Sequence, residues 1–186
     1  AADAAPGGMV ALIGAEEPAA AKLCAEAAQG EVLAVANLNS PGQVVISGSR
    51  GACVRAVELA KNHGIRRAMP LPVAGAFHSP LMAPAADRLK EALAAVKFKD
   101  PQWPVYTNVT AKPVVKAAEV PALLVAQLTS PVRWADSVVA MQQAGIDEFL
   151  ELGPGKTLSG MIARTVKDVR CRNLDLAADA NALAAG

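Results

Sequence analysis

The chain has 186 residues, a mass of 19.0 kDa, a formal charge of +1 and a pI near 7.9. With 53% apolar and 19% charged residues and a mean hydropathy of +0.28, it lies far from disordered composition, and its length suits one ordinary domain or two small ones. The near-neutral charge and 3% aromatic content supply neither a basic field nor stacking platforms, which argues against nucleic-acid binding.

Alanine accounts for 41 residues, so the helices should be thin, closely packed and poor in buried area per residue. Cys24, Cys53 and Cys171 are odd in number and lack metal-ligand spacing, which predicts reduced thiols, no disulfide framework and no zinc. No stretch approaches the roughly 20 apolar residues of a membrane span, and the first residues lack a secretory pattern. A reducing aqueous compartment is expected.

In chain order, residues 1–8 end in Pro-Gly-Gly and read as an irregular leader, followed by a strand over Met9–Ile13. Apolar Ala20, Leu23, Cys24 and Ala27 follow the i, i+3, i+4, i+7 spacing of a helix face that Gly30 ends. Glu31–Leu38 and Gln43–Ser47 read as strands about the turn Asn39-Ser40-Pro41-Gly42. After Ser49, a candidate N-cap, Cys53, Ala56, Val57 and Ala60 mark a second helix closed at Gly64, and Arg66–Leu71 returns to strand. The order β-α-β-β-α-β over residues 9–72 predicts a ferredoxin-like subdomain.

From residue 73 the pattern changes to longer helices and isolated strands. Helices are predicted over 79–96, near 118–127 and 133–144, and over 156–166. Strands are predicted over 104–109, 148–152 and 169–173, before an Ala-rich tail. A parallel α/β sheet is expected, too small for the helices that cover it.

Chemistry-bearing motifs are few. Gly155-Lys156-Thr157 lacks the earlier glycine of a phosphate loop, Leu150 standing there. Ser47-Gly48-Ser49-Arg50-Gly51 has Ser where a nucleophile elbow needs Gly, and Ser49 is better read as a cap. His63 lies in the last turn of a helix and suits its dipole. His78 differs: it follows Gly75-Ala76-Phe77 and precedes Ser79-Pro80, a cap with Pro at the first helical position, so it is held between rigid elements. An imidazole there is either a general base or a structural histidine.

The runs Asn37 to Gly48, Gly75-Ala76-Phe77-His78-Ser79, Pro104 to Thr110, Gln127 to Trp134 and Glu151 to Lys156 resemble, in order and spacing, the malonyl-CoA:acyl carrier protein transacylase family. The Ala74–His78 and Ser130–Trp134 runs look closest to its plant, algal and cyanobacterial branch, which implies a plastid or a bacterial cytoplasm. Members of that family carry, ahead of the matched region, an oxyanion-hole segment, a serine elbow and an arginine for the malonyl carboxylate, none of which this chain contains. The resemblance thus implies residues 73–186 to be the C-terminal part of an α/β-hydrolase-like acyltransferase subdomain. It also implies a companion N-terminal segment without which the chain is inactive.

On that resemblance His78 corresponds to the catalytic histidine, and Gln127 to the residue whose main-chain carbonyl orients the imidazole. Asn37 and Asn39 line the cleft, and Phe77 sits where a phenyl group accompanies malonyl rather than methylmalonyl use. The implied partners are malonyl-CoA and an acidic acyl carrier protein, with Lys61, Arg66 and Arg67 as candidates to receive it; no cofactor or metal is implied. The competing expectation is a non-catalytic ferredoxin-like interaction domain.

Overall fold

The computed structural model describes residues 7–176 and 179. Strand β1 (Gly7–Ile13) runs through the middle of an antiparallel sheet ordered β2-β3-β1-β4, where β2 is Leu33–Ser40, β3 Gln43–Ser49 and β4 Arg67–Pro70. Helix α1 (Glu17–Ala28) joins β1 to β2, and α2 (Arg50–Leu59), extended by a 3-10 turn through His63, joins β3 to β4. This is the ferredoxin-like order. Gly7 and Gly8, read as the end of a leader, belong instead to β1 and pair with Ser49 and Gly48. Residues 1–6 and all but Asp179 of the Ala-rich stretch after Leu176 lie outside the described residues.

The predicted helix faces are the buried ones. Ala20, Leu23, Cys24 and Ala27 of α1 pack with Cys53 and Ala56 of α2 against Val10, Leu12, Leu38, Val44 and Ile46 of the sheet. Complete burial of a side chain such as Leu12 or Leu23 stabilises by about 1.5–3 kcal/mol, while the alanines let the helices approach closely. Arg55 fastens the two helices by donating to the carbonyls of Ala27 and Ala28 in the last turn of α1, where helical partners run out. Ser49 occupies the N-cap of α2, but its hydroxyl makes no cap bond.

Two glycines are required by contact. A Cβ at Gly48 would stand 2.1 Å from the Val32 carbonyl oxygen, and one at Gly7 would stand 2.6 Å from Ala76 Cβ. Gly48 thus permits the close β2–β3 approach, and Gly7 seats the segment leading to His78.

Beyond β4 the chain forms a 3-10 turn at Pro80–Met82, α3 (Ala83–Ala94) and a short antiparallel hairpin of β5 (Val105–Tyr106) with β6 (Pro113–Val114). Then follow α4 (Val120–Ala126), α5 (Trp134–Gln143), β7 (Glu148–Leu152), α6 (Thr157–Thr165) and β8 (Arg170–Leu174). The expected parallel pairing occurs between β7 and β8 alone among the described strands. The strand expected over 104–109 stops at Tyr106, because Thr107 to Ala111 turn back and Ala111 adopts φ +54°. A cluster of Val138, Ile162 and Val166 is the core of this region.

Candidate active site

His78 lies on the connection from β4 to α3 with φ +56°, a left-handed conformation that His visits more readily than most side chains but that still costs about 1 kcal/mol or more. Its neighbours hold it there. Ser79 is fully buried, and its hydroxyl donates to the Ala76 carbonyl at 2.7 Å and accepts from the Leu81 amide at 3.3 Å. Ala76, also buried, rests on Gly7. The backbone on both sides of His78 is thereby pinned, and the half-buried ring projects from it.

His78 Nδ1 stands 2.9 Å from the main-chain oxygen of Gln127. A carbonyl oxygen only accepts, so Nδ1 carries the proton and Nε2 of the neutral ring keeps its lone pair. Gln127 is the C-cap of α4, where carbonyls lack helical partners, and its carbonyl turns to the imidazole. An imidazole held in this tautomer, with a free basic nitrogen and a wall of backbone behind it, can take a proton from a hydroxyl or thiol and return it.

Asn37 and Asn39 lie on β2, whose register shifts between Val35 and Asn37 and between Leu38 and Ser40. Asn37 pairs with Val45, Val45 with Ala11 and Ala11 with Met69, so all four share one sheet face. That face is the one opposite α1 and α2, and Leu71 and Val73 of the approach to His78 pack on it. The chain past Gln127 docks on the same strand: the Val132 amide donates to Ala36 O at 2.8 Å and the Leu38 amide donates to Val132 O at 2.9 Å, flanking Asn37. Asn39 sits at the hairpin end. Phe77 is 38% exposed beside His78.

Sequence reasoning assigned no role to Asn108, whose side-chain amide donates to Gln127 Oε1 at 3.0 Å while its carbonyl accepts from the Arg133 amide at 2.8 Å. The only local signal was its place in the run Pro104 to Thr110. It likewise missed Arg164 of α6, which reaches Ser40 Oγ and Gln43 Oε1 and lines, with Arg66, a cleft of about 440 Å³. Lys61 and Arg67 are exposed but are not part of that cleft lining. Among the described residues no group of three or more His, Cys, Asp or Glu is placed to hold a metal ion, and no helix is long and apolar enough to cross a membrane.

Residues 2–183 match the acyl transferase domain family. The malonyl CoA-acyl carrier protein transacylase of Salmonella typhimurium is 45% identical over 160 residues, which is 86% of this chain and 52% of that protein. The Bacillus subtilis protein of the same name is 43% identical over 159 residues, 85% of this chain and 50% of its own. Among solved structures, the acyl carrier protein S-malonyltransferase of Vibrio cholerae superposes with a TM-score of 0.91 at 44% identity, covering 96% of this chain and 58% of that one. A malonyl-transacylase in complex with its type II PKS acyl-carrier protein also gives 0.91 at 38% identity, covering 97% and 59%. The chain spans about half the length of the curated relatives it matches. With a match over nearly all its residues and a fold that superposes on solved acyltransferases, the chain belongs to the acyl transferase domain family.

Proposed function

We propose that this chain supplies the acid/base histidine and part of the acyl pocket of a malonyl-CoA:acyl carrier protein transacylase whose nucleophilic serine lies outside these 186 residues. The observation that carries this is the His78–Gln127 pairing, which leaves Nε2 free, in a chain whose relatives bear that name. Nε2 takes the proton of the serine hydroxyl as its oxygen attacks the malonyl thioester carbonyl. The tetrahedral intermediate collapses, the carbon–sulfur bond breaks, and the imidazolium returns the proton to the coenzyme A thiolate. In the second half-reaction Nε2 takes the proton of the phosphopantetheine thiol, sulfur attacks the serine ester, and the serine oxygen recovers its proton. No acidic third residue is called upon, since the Gln127 carbonyl orients the ring.

The acyl carrier protein is assigned as acceptor on the strength of the related complex. Arg66 and Arg67 remain the proposed landing charges, with Lys61 beside them. The cleft that Arg66 shares with Arg164 supports a cationic surface of this kind. Phe77 is proposed to fill the volume an α-methyl group would need, at about 1 to 3 kcal/mol, so malonyl is favoured over methylmalonyl by about 5- to 150-fold. Asn37 and Asn39 are proposed to offer neutral amides to the acyl group. The reported relatives are bacterial, which supports a bacterial cytoplasm; the plastid reading rests on the two short runs alone.

The test is steady-state kinetics with malonyl-CoA and holo acyl carrier protein on the assembled enzyme. Parallel double-reciprocal lines, the mark of a covalent acyl-enzyme, are expected; intersecting lines would overturn the reading. A lone 19.0 kDa monomer with no transfer on adding a serine-bearing segment would favour the interaction-domain reading.

A further inference from the structure

Gln127 contributes its main chain to His78, yet its position is a weak one for holding a carbonyl still. It caps a seven-residue helix, and the bonds that continue the turn, from Leu128 to Val125 O and from Thr129 to Ala126 O, are both 3.2 Å long. Helix ends of this kind fray. What restrains this end from outside is the side chain: Gln127 Oε1 accepts from Asn108 Nδ2, nineteen residues away. Asn108 is itself held on a closed turn, where the Thr107 amide donates to Lys112 O, the Ala111 amide donates to Thr107 O, and the Thr107 and Thr110 hydroxyls bond to each other at 2.7 Å.

From Asn108 the connection continues to the rigid part of the molecule. Its carbonyl accepts from Arg133, and Val132, the preceding residue, is bonded on both sides to β2. The amide pair also lines a cavity of about 300 Å³ with Val105, Tyr106, Val114 and Leu123.

We infer that Asn108 is a positioning residue: through the Gln127 side chain it registers the Gln127 carbonyl against the four-stranded sheet, and so holds His78 in the Nδ1–H tautomer. The inference rests on His78 being the proton-transfer group, but its direct readout does not. Gln127 then matters through both its backbone and its amide, and replacing the amide should loosen the imidazole without touching it.

The chain has two histidines, and its structure holds them in opposite tautomers. His63 Nε2 faces the Glu26 carboxylate at 2.8 Å and bears the proton, whereas His78 bears it on Nδ1. Long-range proton–nitrogen spectra of the chain at about pH 9, above the ordinary imidazole range, separate the two and give each ratio. Asn108→Leu should shift the His78 ratio toward Nε2–H by about two- to twelvefold, the worth of one neutral hydrogen bond, leaving His63 unchanged. Gln127→Ala removes the same bond from its other end in a helix-favouring residue and should shift the ratio equally, so a failure of Asn108→Leu to fold leaves the question answerable. Gln127→Glu keeps the acceptor and should keep the ratio. In the assembled enzyme kcat should fall by a similar factor with KM for malonyl-CoA unchanged. An unshifted His78 ratio in folded Asn108→Leu or Gln127→Ala overturns the role of Asn108 alone. A wild-type His78 found as Nε2–H overturns the His78–Gln127 pairing and, with it, the proposed function.

Discussion

From Gly7 to Pro70 the chain closes on itself, with Leu12, Leu23, Ile46 and Ile65 fully buried between the sheet and two alanine-rich helices. From Pro80 to Leu174 it does so far less: α3 and α4 bury no residue completely, and Trp103 and Leu152 are 73% and 76% exposed. His78 sits at the junction. Its backbone is set by the closed region, through Gly7 and the buried Ala76 and Ser79, while its hydrogen-bond acceptor arrives from the open one. Orientation of the His78 ring therefore depends on the few bonds that tie the two regions together, above all those of Val132 to β2 and of Asn108 to Gln127 and Arg133.

The contrast breaks most readily at Gly48. Gly48→Ala forces a methyl group against the Val32 carbonyl and should lower stability by about 3 kcal/mol or more in urea unfolding. A loss below about 0.5 kcal/mol would show the sheet to be far more pliant than described. Hydrogen exchange sharpens the same contrast: amides of β1 and β3 should open only with global unfolding, and those of α3 and α4 at least about tenfold more readily. Equal protection in the two regions would erase the distinction.

Thiol labelling gives a smaller effect in the same direction. Burial pushes the Cys24 thiol up to about 12, with Cys53 adding to it, and burial also raises the Cys53 thiol. Cys171, in the open region, is raised too but is only half-buried. At about pH 8 a disulfide reagent should label Cys171 first and Cys24 last.

The smallest effect concerns Glu151, whose carboxylate accepts from the Ser159 hydroxyl and from the amides of Ser159 and Leu158 at the start of α6. These bonds, the Ser159 hydroxyl foremost, hold its pKa below the usual 4.5. A lowered folded-state pKa means that the contribution is present above that usual value and is lost as pH falls through the lowered one. The α6 amide resonances should therefore shift together on acidification below about pH 4.5, and Glu151→Gln should abolish the shared transition.

What the sequence made legible follows physical periodicity. Helix faces at i, i+3, i+4 announced α1 and α2, and Val-rich runs announced β2 and β3, because burial in a small sheet enforces those periods. Gly7 and Gly8 carry no hydropathy signal, so their place in β1 was hidden. The β5–β6 hairpin spans two residues per strand, one of them Pro113, too short to show a period. The pairing of His78 with Gln127 joins residues 49 apart, and Arg164 meets Ser40 across 124. Such contacts are made by tertiary folding, and only the resemblance to a family anticipated the first. Nothing anticipated the amide pair of Asn108 and Gln127, which has no local pattern at all.

Single-turnover transfer from malonyl-CoA by the assembled enzyme, followed as acyl-enzyme mass, tests the central claim most directly. Replacing His78→Ala should slow acyl-enzyme formation by about 10²- to 10⁴-fold while the circular dichroism and unfolding midpoint stay close to those of the parent. Acylation by that variant at a few per cent of the parent rate or more would contradict the account, because the group held by Gln127 would not be the one that moves the proton.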